Sequence, residues 1–271
     1  MQKVFILTLL WALSGLVEIS AHGDVHELIN EYTQKIANDP KDASLYEMRG
    51  FLFYKDEDYK SALKDYKKAT SLDSDLKGIN FKIGLVYKSM ENYKKAIKEF
   101  DRMLEQDSLH VLSIRNRAEC YLSLEKYDEA IVDFRSVIDM SQDLISQNYV
   151  DLADTYLKVG NSEEAIATLK EGIQTKGKLV VLEQELIDLY VEVGDFQNAF
   201  HEIDIVMESM TRKESWLSLK GDIAIKANLS EEAKKYYTDS QNAIAILPSH
   251  IQGTDFIKNL RTHNTSQLES L

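Results

Sequence analysis

Two histidines near the N-terminus are the residues whose types and spacing best suit metal chemistry. His22 and His26 are four residues apart, and cleavage after Ala21 would make His22 the first residue of the mature chain. An N-terminal histidine offers its amine and its imidazole to copper, and His26 supplies a further nitrogen. The competing interpretation is a polar leader in which Asp24 caps the first helix. Copper handling by His22 and His26 is therefore the alternative function, and incidental binding is favoured over a dedicated metal site.

Motifs for other chemistry are missing from the sequence. It contains no phosphate-binding glycine loop, no G-x-S-x-G, no H-E-x-x-H and no cysteine cluster. The six histidines are scattered, and Cys120 is the single cysteine, which excludes an intramolecular disulfide and suits a small core residue. We therefore predict that the protein is not an enzyme and, copper apart, uses no cofactor.

The charge balance argues against polyanionic partners. Lys and Arg number 32 whereas Asp and Glu number 45, which gives a net charge of -13 at pH 7. A protein this acidic is repelled by phosphate backbones and by anionic membrane surfaces. We therefore predict that nucleic acid is not its partner.

Residues 1–21 have the layout of a secretory signal peptide. Lys3 precedes an apolar run from Val4 to Val17, and a short polar segment ends at Ala21. The run is too short to span a bilayer comfortably, so we expect residues 1–21 to be removed and no stable membrane insertion afterwards. An earlier cut after Ser14 and an uncleaved anchor are the alternatives. The expected product is exported, and the lumen of the endoplasmic reticulum is the alternative compartment, although the chain ends without a KDEL-type tail.

A single periodic pattern occupies most of the remaining chain. Five of the six copies have a small residue and five have an aromatic three positions later, and all six have an alanine nine positions after that; in the first copy these are Gly50, Phe53 and Ala62, and the fifth copy has Ile187 at the small position. Apolar residues within a copy recur at spacings of three and four, which predicts two amphipathic helices joined by a short linker. The small residues let the two helices approach closely. One pair cannot bury its apolar face alone, so stacked copies supply the core.

Residues with good capping side chains precede the second helix in four of the six copies. These residues are Asp58, Asn92, Asn161 and Asp195, and Gly160 and Gly194 precede two of them as helix stops.

This pattern resembles the tetratricopeptide repeat (TPR), whose unit of about 34 residues has the same series of small, tyrosine, alanine and phenylalanine positions. The resemblance implies an all-α fold, a right-handed superhelical α-solenoid of about six tandem helix-turn-helix repeats with terminal capping helices. The repeats are expected at residues 43–76, 77–110, 111–144, 146–179, 180–213 and 214–247. Residues 22–42 are expected to form an N-terminal capping half-repeat, and residues 248–271 a C-terminal capping helix with a frayed tail.

The resemblance also implies where a partner binds. In TPR proteins six positions of each first helix line a concave groove that holds an extended peptide or a partner helix. In repeats one to three these positions are aromatic and slightly basic, and they include Glu47, Phe51, Tyr54, Phe81, Lys82, Lys88, Arg115 and Asn116. In repeats four to six they are acidic, and they include Asp151, Asp154, Glu185, Asp188 and Asp222.

Solvated charge is the alternative interpretation for any single groove residue, but the segregation of sign along the groove favours binding. We therefore predict a non-catalytic scaffold that binds another protein or peptide, with a basic segment over the acidic repeats. The N-terminus also resembles that of small exported bacterial repeat proteins, which favours a periplasmic or secreted location.

Overall fold

The computed structural model describes residues 25–140, 146–176 and 180–271 of the chain. Within these ranges the chain forms fifteen α-helices and no strand, which confirms the predicted all-α fold class. It divides into two compact units, Met1–Ser141 (unit 1) and Gln142–Leu271 (unit 2). Among the described helices, none has the length and apolar character that crossing a membrane requires.

Unit 1 contains a single helix followed by three helical hairpins in its described part. Helix α1 covers residues 25–38, and the predicted signal peptide before it lies outside the described residues. The hairpins are α2 (Ala43–Lys55) with α3 (Tyr59–Leu72), α4 (Ile79–Ser89) with α5 (Tyr93–Gln106), and α6 (Val111–Ser123) with α7 (Tyr127–Met140). The second helix of each hairpin packs against the first helix of the next one, so the apolar face of each pair is covered by its neighbour.

Unit 2 repeats this arrangement with three hairpins and then two terminal helices. The hairpins are α8 (Ser146–Lys158) with α9 (Ser162–Lys176), α10 (Val180–Glu192) with α11 (Phe196–Ser209), and α12 (Glu214–Lys226) with α13 (Ser230–Ala245). The short α14 (Ser249–Gln252) leads into α15 (Asp255–Ser270), which packs on both helices of the last hairpin.

The turn inside each hairpin has the same backbone geometry in all six described pairs. One residue of the turn adopts a left-handed φ between 56° and 78°; these residues are Glu57, Glu91, Glu125, Gly160, Gly194 and Asn228. In five of these turns the next N–H donates to a carbonyl of the last turn of the first helix, as Asn92 does to Tyr87 at 2.8 Å. This is the Schellman type of helix end, which favours glycine at the left-handed position.

In three hairpins the residue after this position caps the second helix. The side chains of Asp58, Asn161 and Asp195 each accept the backbone N–H three residues later, at 3.1, 3.2 and 3.2 Å respectively, which confirms three of the four predicted caps. Asn92 stands at the same place before α5, but its side chain makes no capping hydrogen bond.

Glycine in the first helix allows close packing within the hairpins that contain Gly84 and Gly221. A Cβ atom added to Gly84 would lie 2.5 Å from the ring of Phe100, and one added to Gly221 would lie 2.5 Å from the ring of Tyr237. Both rings are fully buried, so neither has room to retreat. The predicted close approach of the two helices is therefore confirmed, and Cys120 is confirmed as a buried core residue.

Buried ion pairs connect the helices of unit 1. Arg117 donates from Nε and one terminal nitrogen to both carboxylate oxygens of Asp133, at 2.8 and 2.7 Å, and from the other to Asp101 of the preceding hairpin at 2.6 Å. Hydrogen bonds to Asp133 raise the pKa of Arg117 and outweigh the opposing effect of burial. Arg49 makes the equivalent bidentate contact with Asp65 in the first hairpin. These pairs fix the register of neighbouring helices.

The prediction of a frayed C-terminal tail is wrong. Helix α15 continues to Ser270, and Asn264 within it is fully buried. Its carboxamide accepts from the Ser218 hydroxyl at 2.6 Å and donates to the Ser240 hydroxyl at 2.8 Å. Ser240 in turn donates to the Glu214 carbonyl at 2.6 Å. The polar residues of this segment are satisfied by polar residues of the last hairpin, which sequence polarity alone does not reveal.

Candidate partner-binding faces

An apolar groove opens on unit 1 where α1, α2 and α4 meet. Its volume is about 460 Å³, and we call the surface formed by Tyr32, Leu45, Met48 and Phe51 the apolar groove. The side chains of Met48 and Phe51 remain 43% and 39% exposed, which is high for large apolar groups. The groove therefore offers apolar area that the fold itself leaves uncovered.

Phe81, a predicted groove residue, lies mostly in the core. Its ring packs on Phe100 at 6.0 Å and meets His110 edge-on at 4.9 Å between centroids. The imidazole of His110 also caps α6 by accepting the Ser113 N–H at 3.2 Å. Phe81 is thus held by two neighbours, whereas Phe51 faces solvent.

The basic side chains predicted for this face are paired within unit 1. Lys82 donates to Glu47 at 2.6 Å, so the charges of these two predicted groove residues offset each other. Lys88 donates to Asn116 at 2.7 Å and forms an ion pair with Glu119.

Arg115 also contacts Glu119, at 3.3 Å. Partners contributed by adjacent repeats therefore neutralise much of the positive charge that the sequence places on this face.

A second, more polar depression lies one repeat further along unit 1. It encloses about 400 Å³ between Tyr54, Leu85, Tyr93 and the Lys88 cluster. The hydroxyls of Tyr54 and Ser89 are 3.4 Å apart, and the ring of Tyr54 packs against Tyr59 at 5.9 Å. Tyr54 is therefore positioned for hydrogen bonding as well as for apolar contact.

Unit 2 carries an acidic face on α8 and α10, which are first helices of consecutive hairpins. We define the acidic face as Asp151, Asp154, Glu185, Asp188 and Glu192. The last four of these carboxylates surround a small pocket of about 80 Å³ with an aliphatic floor. Four of these five were predicted as site residues from the sequence. Glu192 also occupies a groove position of its repeat, so the sequence contained a signal for it as well.

Burial and mutual repulsion destabilise the charged form of two of these groups. The pKa of Asp154 is raised by burial and by the negative charges of Asp151 and Glu192, although Lys158 partly offsets this. The pKa of Glu185 is raised by burial and by Asp154 and Asp188. Neither Asp154 nor Glu185 makes a hydrogen bond or ion pair with another described residue, so both retain acceptor capacity for an external cation.

Neutral donors contact the other two predicted carboxylates of the acidic face. Gln147 donates to Asp151 at 2.9 Å, and Gln184 donates to Asp188 at 3.2 Å. An amide donor orients a carboxylate, so Gln147 and Gln184 help to hold these two side chains in place on the acidic face.

Asp222, predicted for the same groove, is used inside unit 2. Its carboxylate accepts the Tyr237 hydroxyl at 2.7 Å and contacts Nε2 of His263 on α15 at 2.7 Å. The pKa of Tyr237 is raised, mainly by burial and to a smaller extent by its hydrogen bond to Asp222. Asp222 therefore does not line the acidic pocket, and Tyr237 on α13 and His263 on α15 both contact the same oxygen, Oδ1, of its carboxylate.

The two histidines of the predicted copper site are separated by the limit of the described residues. His22 lies outside them, whereas His26 is described, is 63% exposed and lies 3.6 Å from a carboxylate oxygen of Asp56. Within the described ranges, no group of three or more His, Cys, Asp or Glu side chains is arranged to hold a metal ion. Burial raises the pKa of the Cys120 thiol to about 11, which disfavours the reactive thiolate.

Comparison with known proteins concerns the repeat and the fold. Models of the tetratricopeptide repeat match residues 43–76, 81–143 and 146–178. No curated protein matches the chain at a significant level. The C-terminal part of a TPR repeat-containing protein from Cytophaga hutchinsonii is similar with a TM-score of 0.66 and 12% identity, over 86% of this chain and 95% of that one.

Two further solved structures are similar at comparable levels. A tetratricopeptide repeat protein from Parabacteroides merdae ATCC 43184 has a TM-score of 0.55 and 18% identity, over 92% of this chain and 95% of that chain. The structure of Naa15/Naa10 bound to HypK-THB has a TM-score of 0.54 and 16% identity, over 89% of this chain and 36% of that chain. At such identities the likeness is one of fold.

Proposed function

Because the chain is a tetratricopeptide repeat protein, we propose that it is a non-catalytic scaffold that binds another protein through the surfaces of its first helices. A fold similar to this one occurs in the complex of Naa15/Naa10 with HypK-THB. The observation that carries the proposal is the acidic face, where Asp154 and Glu185 are ionisable, partly buried and without a hydrogen-bonding partner among the described residues.

A basic segment is the partner chemistry that suits the acidic face. Lysine or arginine side chains would place positive charge between carboxylates that now repel one another, and would use their free acceptor atoms. Each exposed pair contributes only about 0.2–1 kcal/mol, so the acidic face acts mainly on encounter rate and orientation.

The apolar groove supplies a different contribution to binding. An aromatic or aliphatic side chain seated against Met48 and Phe51 removes apolar area from water at about 25 cal/mol per Å². Contacts of this kind slow dissociation more than they speed association. Phe81 contributes to folding instead, because its ring is packed against Phe100 and His110.

Defined peptides test the proposal directly. A Lys/Arg-rich peptide containing one tryptophan is compared with an acidic peptide of the same length, by stopped-flow fluorescence on the full chain. We expect the basic peptide alone to bind. Asp154→Asn with Asp188→Asn should slow its association and flatten the salt dependence of the rate. The matched control is Asp255→Asn with Asp239→Asn, which removes the same charge elsewhere in unit 2.

A separate pair of variants tests the apolar groove. Phe51→Ala should raise the dissociation rate of a peptide that carries an aromatic residue. Phe256→Ala is the control, since Phe256 is also exposed but lies on α15. Unchanged association and dissociation rates in both test variants would show that the first-helix surfaces do not bind the partner.

Export and copper handling are the finer parts of the proposal, and both are supported by sequence alone. Mass spectrometry of the mature protein should find His22 as the first residue, and retention of Met1 in the folded product would contradict export. Copper should then bind through the amine and imidazole of His22, and one Gly added before His22 should weaken that binding. His26 is accessible for a supporting role.

A further inference from the structure

A basic face lies on the second helices of two consecutive hairpins in unit 1. We define it as six exposed cations, Lys60, Lys64 and Lys68 on α3 together with Lys94, Lys98 and Arg102 on α5. Within each helix they are spaced four residues apart, so they form one stripe along one side. The two stripes occupy equivalent positions, because each residue of the second follows its counterpart in the first by one repeat length.

The positive charge of this face is largely uncompensated. Of its six cations, only Arg102 forms an ion pair with a described residue, Glu99 at 2.7 Å. The single carboxylate within α3, Asp65, is buried and already bound by Arg49. Like charges four residues apart on a helix repel, so the face gains stability when an anionic surface covers it.

Two further lysines show that α3 and α5 place their cations close together. The ammonium group of Lys67 on α3 lies 5.8 Å from the centroid of the Tyr87 ring, and that of Lys95 on α5 lies 5.4 Å from the same centroid. A cation from each helix therefore lies near Tyr87 of α4, between the two second helices along the chain.

We propose that the basic face docks on the acidic face of a second copy of this chain. The inference rests on the proposed function, because it names the partner of the acidic face. The two faces have opposite charge, and each is built from equivalent helices of two consecutive repeats. Asp154 and Asp188 are separated by one repeat length, as are Lys64 and Lys98. Their charges therefore recur with the same period, so several cations meet carboxylates at once.

A polyanion is a weaker match for the basic face. The chain carries a net charge of -13, which repels nucleic acid and anionic membranes at long range. A second copy carries the same net charge, so its docking depends on the short-range match between its acidic face and the cations. Because the two docking faces differ, each association leaves one basic and one acidic face free, and further copies add head to tail unless a ring closes.

Sedimentation velocity of the full chain tests this association. At about 0.05 M salt the mass should rise with protein concentration, and at about 0.5 M salt the association constant should be at least about tenfold lower. Lys64→Gln with Lys98→Gln should lower the association constant about tenfold, and so should Asp154→Asn with Asp188→Asn. The control is Lys234→Gln with Lys258→Gln, which removes the same charge from exposed positions of unit 2 and should assemble like the wild type.

Mixing the double lysine variant with the double aspartate variant gives the decisive result. One variant retains the acidic face and the other retains the basic face, so an equimolar mixture should form a dimer that does not grow further. A wild-type chain that stays monomeric at low salt, or a mixture that stays monomeric, overturns the proposal. Binding of the monomer to vesicles with anionic lipids through Lys64 and Lys98 would also overturn it.

The peptide experiment separates this proposal from the broader one. If the wild type remains monomeric but the basic peptide still binds with dependence on Asp154 and Asp188, self-association is wrong and the proposed function stands. If neither the peptide nor a second copy binds the acidic face, both are wrong.

Discussion

Relieving backbone strain at Glu91 should stabilise unit 1. Glu91 ends α4 with a left-handed φ of 56°, a conformation that costs a side chain about 1–2 kcal/mol and glycine almost nothing. Its N–H donates to the Lys88 carbonyl and that of Asn92 to the Tyr87 carbonyl, both at 2.8 Å. These are backbone bonds, so Glu91→Gly retains them.

The net increase in the free energy of unfolding is smaller than the backbone strain that the substitution removes. Glycine increases the conformational freedom of the unfolded chain, which offsets about 0.4–1 kcal/mol. The side chain of Glu91 makes no hydrogen bond or ion pair with the described residues, so nothing else is lost. We expect Glu91→Gly to stabilise unit 1 by about 0.5–1 kcal/mol, which raises its melting temperature by a few degrees.

Two matched variants test whether the effect of Glu91→Gly arises from the left-handed backbone conformation. Gly194 occupies the equivalent turn with a φ of 78°, and a Cβ atom added there would meet nothing within 4 Å. Gly194→Ala should therefore destabilise the protein by about 1 kcal/mol through backbone conformation alone. Lys98→Gly, in the middle of a helix, should also destabilise it by about 1 kcal/mol.

Urea denaturation followed by far-UV circular dichroism measures all three variants. The midpoint should rise for Glu91→Gly and fall for the other two. A neutral or destabilising Glu91→Gly, measured beside a destabilising Gly194→Ala, would refute the assignment of strain to this turn.

Three further changes test the core, the acidic face and the terminal helix. Ala96→Leu should destabilise the protein by about 1–3 kcal/mol because it overpacks a fully buried helix crossing, whereas exposed Lys94→Leu should change stability by less than about 0.5 kcal/mol; equal effects in thermal melts would show that the repeat frame is wrong. Asp154 and Glu185 have raised pKa values in the folded state, so folding binds protons and stability should fall as pH rises through those values; Asp154→Asn with Glu185→Gln should flatten this slope, and an unchanged slope in urea titrations at several pH values would contradict the burial argument. Asn264→Ala should cost about 1–3 kcal/mol because it leaves the buried Ser218 hydroxyl without its acceptor, and an unchanged melting temperature would show that α15 does not contribute to stability through this contact.

Local and periodic features could be predicted from the sequence. The helix pairs follow from apolar spacing, and the caps at Asp58 and Asp195 follow from side-chain chemistry within four residues. The close approach at Gly84 follows from the repeat, since the same small and aromatic positions recur in each copy. Such features depend on neighbours along the chain, which the sequence shows directly.

The pairing of charges between repeats could not be predicted in this way. Lys82 and Glu47 belong to different repeats, as do Lys88 and Glu119, yet each pair is in contact. The sequence shows how many charges of each sign a face holds, but which of them neutralise one another depends on rotamers and on the stacking of helices. The basic face could have been predicted from lysines that recur with the period of the repeat. The prediction of binding residues covered only the groove positions of the first helices.

The terminal helix shows most clearly the difference between what the sequence predicts and what only the tertiary structure determines. Its amino-acid types determined a helix with apolar residues on one side, but Asn264 among polar neighbours indicated solvent. In the fold that side chain is buried because Ser218 and Ser240, which belong to the two helices of the last hairpin, satisfy its hydrogen bonds. Sequence determined the repeat and its helices, since those depend on short-range periodicity. Only the tertiary structure decided which polar groups are buried, which charges are paired and which surfaces are left to bind a partner, because each of these depends on atoms that folding brings together from neighbouring repeats.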